Sequence, residues 1–99
     1  MNLAAFYHSG MYPEIYAPDR FHLRFSFRAA SGDIETCTLV YFHKNHRDET
    51  TKEERMSEQY HLGTSVVYVA VVSFQKPARY LQYYFRVTGK DGDTRCCLL

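Results

Sequence analysis

Hydrophobic and polar side chains alternate with a period of two along several short stretches of this chain. The strictest example is Phe21–Arg28, in which four apolar residues alternate with four polar ones. Because successive side chains of a strand point to opposite faces, this period predicts a β-strand whose Phe and Leu side chains face a core. The alternation recurs in Ile34–Phe42 and Tyr80–Thr88. Ser65–Phe74 is rich in Val throughout, which indicates a central strand covered on both faces.

Shorter apolar stretches predict further strands, and turn-forming residues separate them. These strands are Leu3–His8, Glu14–Ala17, Met56–Leu62 and Thr94–Leu99. The highly charged stretch His43–Arg55 is typical of a long loop or a short exposed helix. Seven or eight short strands need a second sheet to cover the apolar face of the first. We therefore predict an all-β fold, an immunoglobulin-like antiparallel sandwich that forms one domain over residues 1–99.

Composition agrees with β structure and excludes several classes of function. The chain has 9 Tyr and 7 Phe but no Trp, and aromatic residues favour strands. A formal net charge of +1 gives no basic surface for nucleic acid. No apolar stretch approaches about 18 residues, and no secretory signal precedes the first strand, so we expect no membrane span. Three cysteines, an odd number, favour a reducing, cytoplasmic setting.

The chain offers no pattern that is typical of catalysis or metal binding. His43 and His46 form the closest histidine pair, but no second pair of ligands accompanies them. Cys37 falls on the predicted inward face of its strand, where a thiol acts as a small apolar group. The acidic residues cluster in the charged stretch, without the burial that would separate two carboxyl pKa values. We expect no catalytic residue, no metal site and no cofactor.

Aromatic side chains on predicted outward faces are the best candidates for binding. Phe42, Tyr80 and Tyr84 fall on the outward faces of their strands. Such rings either stack on the apolar face of a sugar or pack against a neighbouring domain, since exposed apolar patches mark interfaces. Both interpretations stay open at this point, as does a free-standing immunoglobulin-like interaction domain.

Several of these segments, taken in order, resemble the start of one enzyme family. Five segments are similar to motifs at the start of cyclomaltodextrinases, neopullulanases and maltogenic amylases. They are Leu3–His8, Ile15–Ala17, Phe21–Arg28, Ser31–Ile34 and Arg79–Val87. The resemblance covers most of the chain. It implies the immunoglobulin-like N-terminal domain of a glycoside hydrolase of family 13, also classed as carbohydrate-binding module family 34.

The resemblance implies a non-catalytic role within a larger enzyme. In that family a (β/α)8 barrel follows, carries the catalytic carboxylates and hydrolyses α-1,4-glucosidic bonds. The N-terminal domain serves homodimerisation and lies over the partner's substrate groove, so we expect the barrel, a second subunit and an α-glucan or cyclodextrin as partners. A groove Tyr of the family is absent here, where the chain has His43-Lys44-Asn45. The carbohydrate or domain-interface candidates are therefore Phe42, Lys44, Asn45, Tyr80 and Tyr84, with packing favoured over direct sugar contact.

Overall fold

The chain folds into two antiparallel sheets of four strands each, as a computed structural model that describes residues 1–45, 50–74 and 81–97 shows. In chain order, the strands are β1 (Ile15–Asp19), β2 (His22–Ala30), β3 (Ile34–His43), β4 (Lys52–Arg55), β5 (Ser57–Leu62), β6 (Ser65–Ser73), β7 (Leu81–Gly89) and β8 (Thr94–Cys97). Sheet 1 has the order β1-β2-β6-β5, and sheet 2 has the order β4-β3-β7-β8. The predicted all-β sandwich is confirmed.

The core lies between the two sheets and consists of the inward side chains that alternation predicts. Phe25 and Phe27 of β2 are fully buried, and so are Leu39 of β3 and Phe85 of β7. The rings of Phe27 and Phe85 join the sheets, with centroids 4.9 Å apart. Cys37 is also buried in this core, as predicted. Burial of these large apolar side chains is the main force that holds the two sheets together.

The first residue of the strictest alternation behaves differently from the others. Phe21 was expected in the core, but its side chain is 42% exposed. It lies in the turn between β1 and β2, because Asp19 already pairs with His22 at the end of the sheet. A side chain one residue beyond the last pair has no facing strand to cover it.

The predicted strand Leu3–His8 is wrong in its first half. Leu3–Ala5 forms a single turn of 3-10 helix, and a two-way backbone bridge then links Tyr7 to Arg28 of β2. The two N–H···O distances of this bridge are both 2.9 Å. β1 already occupies the same edge of β2 further along, where Ile15 pairs with Phe25. Only a short length of that edge is therefore left for the N-terminal segment.

The charged stretch His43–Arg55 contains a strand where a loop or helix was predicted. β4 pairs with Thr38–Tyr41 at the free edge of β3, and all four of its residues are exposed. Its side chains carry no alternation of apolar and polar groups, so the pattern could not reveal it. The backbone of β3 supplies the hydrogen bonds that make this segment extended. Residues 46–49, which include His46, lie outside the described part.

Candidate interaction surface

The residues predicted from the sequence lie at the outer face and one end of sheet 2. Phe42 pairs with Gln82, and Val40 pairs with Tyr84, so Phe42 and Tyr84 share the outward side of neighbouring strands. Phe42 is nevertheless only 7% exposed, and the expectation of an exposed ring there is wrong. Tyr84 is half-buried.

The remaining candidates follow β3 or fall beyond the described residues. Lys44 and Asn45 are exposed in the turn after β3, where the backbone N–H of Asn45 donates to Nδ1 of His43 at 3.1 Å. Tyr80 lies outside the residues that the structure describes. The structure therefore brings Phe42 and Tyr84 onto one face and places Lys44 and Asn45 at its end. Their role in binding stays a prediction.

Exposed apolar side chains lie on the other half of the molecule. Among residues 1–45, 50–74 and 81–97, every large apolar side chain that is more than 40% exposed belongs to sheet 1, to its β1–β2 turn or to the segment that precedes β1. In the described part of sheet 2 there is none. The residues are Leu3, Tyr7, Met11, Tyr12, Phe21, Tyr60, Leu62 and Val71. Because contiguous exposed apolar groups mark interaction sites, this half of the molecule is the candidate interaction surface.

Strand register brings tyrosines and arginines together on the outer face of sheet 1. Tyr7 bridges to Arg28, Arg28 pairs with Val67, and Val67 pairs with Tyr60. One row of side chains therefore crosses the sheet from the N-terminal segment to β5. Four residues earlier in β2, Arg24 pairs with Tyr16 of β1. We call this surface the Tyr–Arg face and define it by Tyr7, Tyr16, Arg24, Arg28 and Tyr60.

Each arginine of the Tyr–Arg face lies over a tyrosine ring. The guanidinium carbon of Arg28 is 4.7 Å from the ring centroid of Tyr7, and that of Arg24 is 5.6 Å from the ring centroid of Tyr16. A guanidinium at this distance is attracted to the negative face of the ring. The contact orients the group, because the flat guanidinium and the ring restrain one another.

A shallow groove runs between these side chains. Its volume is about 240 Å³, and both arginines of the face line it together with Tyr7 and Tyr60. Glu14 also lines the groove, and its Oε2 atom is buried without a hydrogen-bond donor among the described residues. The groove thus presents two cations and two phenol rings, and Glu14 in its lining has one buried oxygen without a donor among the described residues.

A buried histidine holds the N-terminal segment against this surface. The Nδ1 atom of His8 lies 2.7 Å from the carbonyl oxygen of Ser26 on β2. Its ring packs on Phe85 of the opposite sheet, with centroids 4.8 Å apart. Since Tyr7 precedes His8 directly, this anchor fixes the position of the Tyr7 ring over Arg28.

Sequence reasoning missed the Tyr–Arg face, although part of the signal is present. The alternation in β2 places Arg24 and Arg28 on the outward side, four residues apart. Nothing local predicts that Tyr7 and Tyr60 are their neighbours, because both contacts come from pairing with distant segments.

Two classes of site can be assessed from the described ranges. No cluster of three or more His, Cys, Asp or Glu side chains that could hold a metal ion occurs among the described residues. Among the same residues, no helix has the length and apolar character needed to cross a membrane.

Comparisons with known proteins agree with this architecture. The family model described as "Alpha amylase, N-terminal ig-like domain" matches residues 1–98. No curated protein matches the chain. A solved cyclomaltodextrinase is similar in structure, with a TM-score of 0.88 and 20% sequence identity. The type III pullulan hydrolase from Thermococcus kodakarensis is similar over a shorter length, with a TM-score of 0.65 and 21% identity.

The likeness to these enzymes concerns one part of each. The chain is covered to 98% by the first match and to 86% by the second, but it spans only 16% and 13% of those proteins. At this level of identity, the solved structures show a shared fold.

Proposed function

We propose, from the premise that this chain belongs to the alpha amylase N-terminal Ig-like domain family, that it is a packing domain of an α-glucan hydrolase. The 99-residue chain itself lacks a catalytic domain. In the whole enzyme, this domain supports dimerisation and shapes the substrate groove without taking part in the chemistry. The enzyme itself acts on α-1,4-glucosidic bonds.

The observation that carries this proposal is the one-sided exposure of apolar groups. Tyr7 and Tyr60 are 46% and 44% exposed on the Tyr–Arg face, Leu62 is exposed in the same groove, and Val71 is exposed beside Arg24. Tyr and Arg are enriched at protein interfaces, and large exposed patches are costly on an isolated domain. If this domain packs through sheet 1, the adjoining domain or subunit covers these groups. The outer face of sheet 2 then faces solvent or another part of the enzyme.

Sugar binding by this domain alone has less support. The buried ring of Phe42 is not available for stacking, and Tyr84 is only partly accessible. We expect titration with β-cyclodextrin at millimolar concentration to leave the NMR signals of Tyr84 and Tyr60 unchanged. Saturable shifts at Tyr84 would favour an independent glucan-binding module over a packing domain.

Side-chain footprinting tests the packing role. Sequencing of the reading frame past codon 99 comes first, and we expect it to continue into a (β/α)8 catalytic domain. Hydroxyl-radical labelling of the 99-residue chain is then compared with labelling of the whole enzyme. We expect Tyr7, Tyr12 and Tyr60 to lose most of their labelling in the enzyme, because the adjoining domain or subunit covers them.

Tyr84 is the matched control in this experiment, since it reports on sheet 2. Protection confined to Tyr84 would move the interface to the outer face of sheet 2, as the sequence predicted. Equal labelling of all four tyrosines in the chain and in the enzyme would reject a packing role. A stop codon directly after Leu99 would reject it as well.

A further inference from the structure

We infer that the Tyr–Arg face binds an extended protein segment that presents two carboxylates, one to Arg24 and one to Arg28. This inference rests on the proposed packing role, because it names the chemistry of the surface that packs there. The Cα atoms of the two arginines lie about 13 Å apart, since four residues of a strand separate them. An extended segment with acidic residues at its first and fifth positions spans the same distance and points both towards the face.

The two arginines keep their hydrogen-bonding edges free. The guanidinium carbons lie 5.6 Å and 4.7 Å from tyrosine ring centroids, and neither guanidinium donates a hydrogen bond to a described residue. Neither arginine forms an ion pair with a carboxylate among the described residues. A planar, oriented guanidinium binds a carboxylate through two parallel N–H···O bonds.

Two of the three described arginines of sheet 2 provide an internal contrast, whereas Arg55 of β4 forms no ion pair among the described residues. Arg86 forms an ion pair with Glu53, and Arg95 forms one with Asp93 at 3.0 Å. For these two arginines the chain supplies its own carboxylates. At Arg24 and Arg28 it supplies tyrosine rings, and Glu14 in the same groove forms no ion pair with either arginine, so both guanidiniums can bind carboxylates of another segment.

Glu14 favours a peptide over a simple anion. Glu14 lines the groove, and its Oε2 atom is buried and accepts no hydrogen bond within the described part of the chain. A small anion such as phosphate would place its negative charge next to the Glu14 carboxyl group as well as the arginines. An extended segment holds its two carboxylates at the arginines and places uncharged groups near Glu14, which lies beside Ser26 between them.

The rim of the groove favours protein over a neutral saccharide. Leu62 is exposed in the groove lining and Val71 is exposed beside Arg24, with which it pairs, and aliphatic side chains of a partner can bury both. A neutral sugar would leave two guanidinium charges without a counter-charge. Arg and Tyr are also the residues that most often dominate the energy of a protein interface.

Peptide titration with an isosteric control tests the inference. The probe is acetyl-Glu-Thr-Leu-Thr-Glu-amide, and the control has Gln in place of both Glu. Side-chain Nε–Hε signals of Arg24 and Arg28 are followed by NMR. We expect saturable shifts with the Glu peptide and a dissociation constant in the millimolar range. The Gln peptide should bind about tenfold or more weakly, and about 0.5 M salt should weaken binding of the Glu peptide.

Variants of the chain separate the face from general electrostatics. We expect Arg24→Gln and Arg28→Gln each to weaken binding about fivefold or more. Arg28→Lys should recover part of the loss, because lysine keeps the positive charge but lacks the two parallel N–H donors of a guanidinium. Arg86→Gln is the matched control, since it removes a surface charge that is already paired on sheet 2. It should leave the affinity unchanged.

Several results would overturn the inference. The Gln peptide could bind as tightly as the Glu peptide, or the arginine signals could fail to shift at about 10 mM Glu peptide. Arg86→Gln could also weaken binding as much as Arg24→Gln and Arg28→Gln do. Shifts of Arg24 and Arg28 with maltotriose would assign the groove to a saccharide, and a concentration-dependent dimer without peptide that moves the same signals would assign it to a second copy. If the Glu peptide does not bind but Tyr7 and Tyr60 are protected in the enzyme, the carboxylate chemistry is rejected and the packing role is retained. Peptide binding with both tyrosines unprotected would reject the packing role alone.

Discussion

The Nε2 atom of His8 and the hydroxyl oxygen of Tyr83 lie 2.7 Å apart, and this contact joins the N-terminal segment to sheet 2. The other ring nitrogen, Nδ1, contacts the carbonyl oxygen of Ser26 on sheet 1. A carbonyl oxygen only accepts, so Nδ1 carries the proton and Nε2 accepts the hydrogen bond that the Tyr83 hydroxyl donates. One neutral imidazole therefore links the two sheets.

Removal of the Tyr83 hydroxyl should destabilise the domain through this link. In Tyr83→Phe the ring packing on Phe25 is retained, but Nε2 of buried His8 loses its donor. We expect a loss of about 1–3 kcal/mol in the free energy of unfolding, measured by urea denaturation. Tyr84→Phe is the control and should change it by no more than about 0.5 kcal/mol. Equal stability of the two variants would contradict the link.

The same histidine should make stability depend on pH. Burial lowers the pKa of His8 below its ordinary value of 6.5, against the opposing effects of the Ser26 hydrogen bond and the Glu14 charge. As pH falls through 6.5, the unfolded chain binds a proton at His8 before the folded chain does. The contribution of His8 to the free energy of unfolding is therefore fully present above pH 6.5. It decreases as the pH falls below 6.5, until the pH reaches the lowered pKa of the folded state.

Comparison with a variant that cannot titrate isolates this effect. Urea denaturation of the native chain and of His8→Gln is measured at about pH 7.5 and about pH 5.5. We expect the native chain to lose more stability between these values than the variant does. An identical decrease in both proteins would assign the pH dependence to other groups.

The three cysteines should differ sharply in reactivity. Burial raises the pKa of the Cys37 thiol to about 12, and burial also raises the pKa of Cys97. Cys96 is exposed on β8. Because the thiolate is the reactive form, iodoacetamide at about pH 8 should modify Cys96 rapidly and Cys37 only at the rate of unfolding.

Peptide mapping by mass spectrometry follows each thiol separately, and Cys96→Ser shows the background rate. Alkylation of Cys37 at a rate close to that of Cys96 would mean that the core opens far more readily than its packing indicates.

Gly89 should be intolerant of a side chain because of a distant contact. A Cβ atom at this position would overlap Cγ of Met1 and approach Oδ1 of Asp91 to 2.7 Å. We expect Gly89→Ala to displace the Met1 side chain, to shift its methyl NMR signal and to cost about 1–3 kcal/mol. Gly92→Ala is the control, since its φ of +87° makes Ala strained there although no atom lies within 4 Å. That variant should lose stability without moving the Met1 signal, and an unmoved signal in Gly89→Ala would contradict the proposed overlap.

The alternation of side chains determined most of the fold. Period two in β2, β3 and β7 placed Phe25, Phe27, Leu39 and Phe85 inward, and those side chains form the core. This worked because a strand has one side-chain direction per residue, so the pattern alone says which face is buried. The failures occurred where backbone pairing, and not side-chain pattern, decides the conformation. β4 is extended because β3 has a free edge, and Leu3–Ala5 is not, because β1 already occupies part of β2.

Only the tertiary structure decided which side chains share the outer face of sheet 1. The sequence placed Arg24 and Arg28 on an outward face but could not indicate that Tyr7 and Tyr60 lie in the same row as Arg28. Those contacts depend on which strands are neighbours and in which register, and hydrogen bonds between distant segments set both. Likewise, alternation placed Phe42 outward, but its burial depends on what covers the strand. A period-two pattern reports the direction of a side chain and says nothing about the neighbours that it meets there.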